Sequence, residues 1–180
     1  MRGMKMGEGR RQQKKRAIPS ATDPYLPWGG IHEVVMCRMC HSIYHHKRWY
    51  LESEFPLREA RVTPIGLIIC PACRKIHDHF PGGVITLRGE FLSTHKDQII
   101  NLIRNQEARA KEVNPLERII STKDQGNWVE IQTTSERLAQ RIGREIERAY
   151  KGEATYHWSR DDKFVRVEWH RGEGKDGSRG

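Results

Sequence analysis

Apolar residues in this chain fall in short periodic blocks between two polar ends, and the period changes from block to block. Residues 1–27 hold almost no large apolar side chain before Tyr25, and Pro19, Pro24 and Pro27 interrupt any regular element. The pattern predicts a disordered basic arm over 1–27 and, from its glycines and polar residues, a disordered tail over 172–180. The β-branched run Val84–Leu87 follows Pro81-Gly82-Gly83 and reads as a strand. Thr94 and Asp97 resemble a capping box for a helix to about Lys111, with Ile99, Ile103, Gln106 and Ala110 on one face and Asn114-Pro115 as its stop. Leu116–Thr122 and Trp128–Gln132 form a hairpin about the turn 124–127. A second box, Thr133 with Glu136, starts a helix to Tyr150, which Gly152 ends. Ala154–Trp158 and Phe164–Trp169 alternate as two further strands, joined by residues 159–162.

The order β-α-β-β-α-β-β over residues 80–171 predicts an α+β domain. Its first six elements match the ferredoxin-like β-α-β-β-α-β pattern, with the last strand an extra edge strand. Ahead of it, residues 28–79 hold all four cysteines as two C-x-x-C pairs, Cys37/Cys40 and Cys70/Cys73, with 29 residues between the pairs. An apolar run precedes each pair, Val34–Met36 and Leu67–Ile69, as a strand leading into a tight turn would. Two such knuckles supply four sulfurs to one tetrahedral site, the arrangement Zn2+ accepts most readily. The expected structure is therefore a zinc-ribbon module with Cys37, Cys40, Cys70 and Cys73 as ligands. Bound zinc contributes on the order of 10 kcal/mol to the folding of such a module. Four thiolates close the shell, so a structural ion is expected. His41, next to Cys40, and His77, four residues past Cys73, leave a Cys₃His shell as an alternative.

Charge adds a partner. The net charge is +9, of which seven cations against the single acid Glu8 lie in the first sixteen residues. Such a balance points to polyanions, chiefly nucleic acid. Between the cysteine pairs, Tyr44-His45-His46-Lys47-Arg48-Trp49-Tyr50 mixes basic and aromatic residues; the aromatics either stack on bases or close the small core. On the second helix, Arg137, Arg141, Arg144 and Arg148 fall within about 60° at about 100° per residue and span about 16 Å. They either follow a phosphate backbone or form a solvated, ion-paired face. With Arg38, Lys47 and Arg48 they are the candidate nucleic-acid contacts. No P-loop, dinucleotide fingerprint or nucleophile elbow occurs, so no enzyme and no small-molecule substrate are expected. No apolar run is long enough to span a bilayer, and no signal sequence precedes the folded part; the expected place is the cytoplasm.

The two cysteine pairs, the segment Thr133-Thr134-Ser135-Glu136-Arg137-Leu138-Ala139-Gln140-Arg141-Ile142-Gly143 and the later Tyr150-Lys151-Gly152-Glu153 resemble the N-terminal part of the archaeal and eukaryotic large-ribosomal-subunit export adaptor family (Nmd-three type). They also resemble a group of short bacterial proteins with the same ribbon-plus-α/β layout. That family usually carries eight cysteines for two zinc sites, whereas this chain has four. The resemblance implies a non-enzymatic RNA-binding protein whose partner is ribosomal RNA, a ribosomal subunit or a ribosomal precursor. The same charge and cysteines also suit a DNA-binding or transcription-associated factor, a nuclease with a Cys₃His site, or a protein–protein adaptor.

Overall fold

The computed structural model describes residues 34–55, 66–159 and 163–172. The expected arm at 1–27 and nearly all of the expected tail at 172–180 lie outside them. The described residues form a small cysteine-bearing unit followed by a five-stranded α+β unit.

In the first unit, β1 (Val35–Cys37), β2 (Ile43–His45) and β3 (Arg48–Tyr50) run antiparallel, and β4 (Gly66–Ile68) joins the other side of β1 in parallel. His46 and Lys47 both take positive φ, 47° and 64°, as a two-residue hairpin turn between right-twisted strands requires. This turn carries Tyr44 and Trp49 to paired positions, where their rings meet at 5.3 Å and are buried at 7% and 6% exposure. These two aromatics close the core of the unit and offer no face to a base. The short helix α1 (Pro71–His77) follows β4 at once. The expectation of two equivalent knuckles therefore needs correction: the second cysteine pair opens a helix. Pro71 at its first position has the φ a helix needs, and Cys70 acts as the N-cap, its sulfur accepting the Cys73 amide.

In the second unit the elements are β5 (Gly83–Arg88), α2 (Glu90–Val113), β6 (Ile119–Asp124), β7 (Trp128–Thr133), α3 (Glu136–Tyr150), β8 (Glu153–Trp158) and β9 (Val165–His170). Two of the expected helix starts move. Helix α2 begins a turn before Thr94, whose hydroxyl donates back to the Phe91 carbonyl inside the helix. Burial of Leu92 and stacking of His95 on Phe91 at 3.8 Å anchor that extra turn. Helix α3 is capped by Ser135, whose Oγ accepts the Leu138 amide at 3.2 Å. Thr133 instead ends β7, fully buried, and donates to the carbonyls of Gly83 and Ser135.

The sheet order is β6-β7-β5-β9-β8, with β9 parallel to β5 and the other neighbours antiparallel. This corrects the ferredoxin-like arrangement with an extra edge strand. The last strand lies inside the sheet beside β5, and the strand before it is the edge. Burial explains the exchange. Val165, Val167 and Trp169 on β9 are all within 1% of full burial, whereas Ala154 and Tyr156 on β8 are only half-buried. The more apolar strand takes the inner place, where helices cover the whole of its apolar face.

Helices α2 and α3 pack on one face of the sheet, over Ile85, Leu87, Val129, Ile131, Val167 and Trp169. On α3, Leu138, Ala139, Ile142, Gly143 and Ile146 face inward. Gly143 allows the close approach: a Cβ there would lie 2.7 Å from Val167 Cγ1 and 3.0 Å from the Tyr156 hydroxyl. At the hairpin end, Lys96 of α2 reaches both carboxylate oxygens of Asp124, at 2.8 and 2.9 Å, and the Gly126 carbonyl at 3.1 Å.

Two outcomes follow from this packing. Gly143→Ala should lower the unfolding free energy by about 1–2 kcal/mol, since overpacking costs about 1–3 and the helix gains at most about 1; urea denaturation measures it. The Lys96 hydrogen bond holds the Asp124 carboxyl below its ordinary value. Its contribution is therefore full above the unfolded carboxylate range, near pH 4, and fades as pH falls through the folded value. Melting curves of Asp124→Asn and of the parent chain should differ at neutral pH and converge in acid.

Candidate metal centre and basic helix face

Cys37 ends β1, and the chain turns back so that the His41 amide meets the Cys37 carbonyl at 2.8 Å. Parallel pairing of Cys37 with Ile68 brings the end of β4 alongside, and Cys70 follows two residues later. Two strands and a helix start thus deliver four sulfurs to one point, all within 4.8 Å of one another. Cys40 Sγ and Cys70 Sγ are 3.7 Å apart. A tetrahedral site with metal–sulfur bonds of about 2.3 Å has edges of about 3.8 Å, so the cluster has the size of a single-ion shell. All four cysteines are free thiols, and Cys37 and Cys70 are fully buried.

Donors surround the sulfurs. The Cys70 amide donates to Cys37 Sγ and the Cys73 amide to Cys70 Sγ, each at 3.3 Å. Arg118, 45 residues beyond Cys73, donates Nη1 to the Cys73 sulfur at 3.3 Å. Such bonds favour the charged thiolate and fix its direction. Without a cation the sulfurs cannot all ionise together. Hydrogen bonding from Cys70 holds the Cys40 thiol low, while burial pushes Cys73 up to about 11. A dication balances the charge that the protein otherwise concentrates in one half-buried pocket. The four cysteines could thus hold one metal ion.

The two histidines considered as alternative ligands turn elsewhere. Exposed His41 has Nδ1 3.4 Å from Glu52, and His77 Nδ1 lies 2.8 Å from the Asp78 carboxylate. The four-sulfur cluster is complete without them.

The loop after α2 joins the two units. Leu116 packs against the cysteine core, and Arg118 reaches Cys73. The buried Thr134 hydroxyl accepts the Arg118 amide and donates to the Leu116 carbonyl, and Lys75 of α1 donates to the Thr134 carbonyl at 3.1 Å. Arg48 Nη2 donates at 3.4 Å to the Val113 carbonyl in the last turn of α2, with its guanidinium 5.2 Å from the Tyr50 ring centroid. This candidate contact residue also ties the units together. Arg38 and Lys47 are exposed on turns of the first unit.

Arg137, Arg141, Arg144 and Arg148 are all exposed on the outer face of α3, opposite its buried stripe. Arg148 pairs with Glu145, and Arg144 reaches the neutral Gln140 at 3.5 Å. Arg137 and Arg141 form no ion pair among the described residues, although their charges act on half-buried Glu117. Three of the four guanidiniums are therefore not held by a carboxylate there. By contrast, the uncovered face of the sheet carries Glu130, Glu153 and Glu168 along with Arg88, Lys123 and Arg166, and Lys123 stands across from Glu130 at 3.9 Å. At one end of that face Arg88 lies 5.8 Å from the Trp128 ring, beside a shallow cavity of about 510 Å³ that His170 also lines.

No helix among the described residues is long and apolar enough to cross a membrane. Comparison with protein-family models, curated proteins and solved structures found no match.

Arg118 was invisible to sequence reasoning because no local pattern links it to Cys73. Its role is testable: if the four sulfurs hold a metal ion, Arg118→Met should weaken its retention about 10–100-fold while leaving one ion per chain at saturation. Competition with a chromophoric chelator measures the affinity, and elemental analysis measures the stoichiometry.

Proposed function

We propose that this chain is a non-enzymatic RNA-binding protein built around one structural Zn2+, and that its target is the ribosome or a ribosomal precursor. The chemistry of the donors favours zinc, since four thiolates suit a soft ion with no geometric preference beyond the tetrahedron. A shell closed by four sulfurs leaves no open position for a substrate or an activated water, which favours a structural ion. One observation carries the nucleic-acid reading: four exposed guanidiniums lie in line on α3, three of them free of carboxylate pairing among the described residues. Such a line matches the spacing of phosphates along a strand and presents forked donors to their oxygens. The overall charge of +9 adds long-range attraction. The resemblance of the cysteine pairs and of the α3 opening to the ribosomal export adaptor family supports the ribosome as the particle.

The decisive experiment is co-sedimentation of the full chain with ribosomal particles over a series of salt concentrations. Association at low salt that falls steeply with salt is expected. Arg137→Gln and Arg141→Gln should each lower the slope of log affinity against log salt by about 0.7–0.9. Absence of co-sedimentation at low salt, or tighter binding to duplex DNA than to ribosomal RNA in a gel shift, would overturn the proposal.

A further inference from the structure

Helix α3 does not present its arginines alone. Beside it runs β8, the edge strand of the sheet, whose pleat puts Ala154, Tyr156 and Trp158 on the side that the helices cover. Tyr156 is pinned there. Its hydroxyl lies 3.0 Å from where a Gly143 Cβ would sit, and it has no hydrogen-bond partner among the described residues. Gly143, the residue before Arg144, is the part of α3 that packs against this ring. Trp158, two residues on, extends past the helix flank. Its ring stacks near-parallel on Tyr156, with centroids 5.8 Å apart and planes 20° from each other, yet it remains 58% exposed.

The registers fix its height along α3. Trp158 pairs with Val165, and Val165 with Gly83. A Cβ on Gly83 would meet the Cβ of Ala139. Trp158 therefore stands level with the first turns of α3, about one turn before Arg144. An indole backed by a fixed phenol, open on its outer face and next to a line of guanidiniums, combines two kinds of contact. The cations take phosphates, and the indole takes the flat face of a base. Duplexes hide their base faces, so only a strand with unpaired bases uses both.

We infer that Trp158, backed by Tyr156 on the edge strand beside α3, is a stacking site for an unpaired nucleobase of an RNA strand whose phosphates follow the α3 arginines. The inference rests on the nucleic-acid reading above and adds which form of RNA is taken and where a base sits.

The test uses the full zinc-loaded chain and two labelled probes of equal length, an unstructured oligoribonucleotide and a perfectly paired RNA duplex. Trp158→Leu should weaken binding of the unpaired probe about 5–100-fold. The duplex should be little affected, and the salt slope unchanged. Trp158→Phe should restore most of the loss, and a 2-aminopurine in the probe should be quenched by the parent chain but not by Trp158→Leu. Arg144→Gln should lower affinity and salt slope together. Because Trp158 is exposed, its removal should leave the melting temperature nearly unchanged, which separates loss of contact from loss of fold. Equal binding of the unpaired probe by the parent chain and Trp158→Leu overturns the stacking site and leaves phosphate binding by α3 standing. So does an equal loss for both probes. If the parent chain binds neither probe at low salt, the nucleic-acid reading itself fails and takes this site with it.

Discussion

Four cysteine sulfurs meeting at one point are the constraint on which the rest of the first unit depends. Among the described residues of the unit the buried apolar ones are Val34, Val35, Ile43, Tyr44, Trp49, Phe55 and Ala72, besides Cys37, Cys70 and Cys73. A core of that size contributes little against the entropy of ordering the chain. The four thiols bring together strand β1, the turn after it, strand β4 and the start of α1, and thereby close loops that apolar contacts alone would leave costly. A divalent ion held there would turn mutual repulsion among thiolates into attraction. The direction of the amides at Cys70 and Cys73, aimed at sulfur, is the local imprint of that requirement.

The same cluster governs how the two units meet. Arg118 sends its guanidinium to Cys73 while its backbone is held by Thr134, at the joint between β7 and α3. Lys75 approaches the same joint from the other side. The cysteine cluster and the base of the arginine-bearing helix are therefore coupled through one buried threonine and one loop. Arg48 adds a second tie at the end of α2. Of the candidate contact residues, Arg48 is the one that lies at this seam among the described contacts.

Charge is distributed unevenly around the second unit. The open face of the sheet carries acids as well as bases, and Lys123 stands directly across from Glu130. The outer face of α3 places its acids, Glu136, Glu145 and Glu147, at half-buried flanking positions and its arginines outermost. A polyanion approaching this unit meets cations first at the helix. The strand exchange at the far edge matters for the same surface. With β9 inside, β8 is left at the rim, and Tyr156 and Trp158 come to lie along the flank of α3.

The sequence by itself picked out the four clustered cysteines and the elements of the second unit. C-x-x-C spacing is a local property, and the 3.6-residue period that hides Leu138, Ile142 and Ile146 is the same period that lines up the four arginines opposite them. Both helices, the hairpin and the later strands could be read within a few residues, because each is written in its own short segment. Tertiary structure alone decided the rest. Whether Tyr44 and Trp49 face bases or each other depended on the pairing of β2 with β3. Where α2 begins depended on a pocket for Leu92 and Phe91, which overrode the Thr94 box. Strand order could not be read from chain order, since it was set by competition between β8 and β9 for the helix-covered interior, a comparison of burial across the whole sheet. Arg118 at Cys73 and Trp158 beside α3 join residues distant in sequence, and contacts of that range leave no periodic signature in the chain.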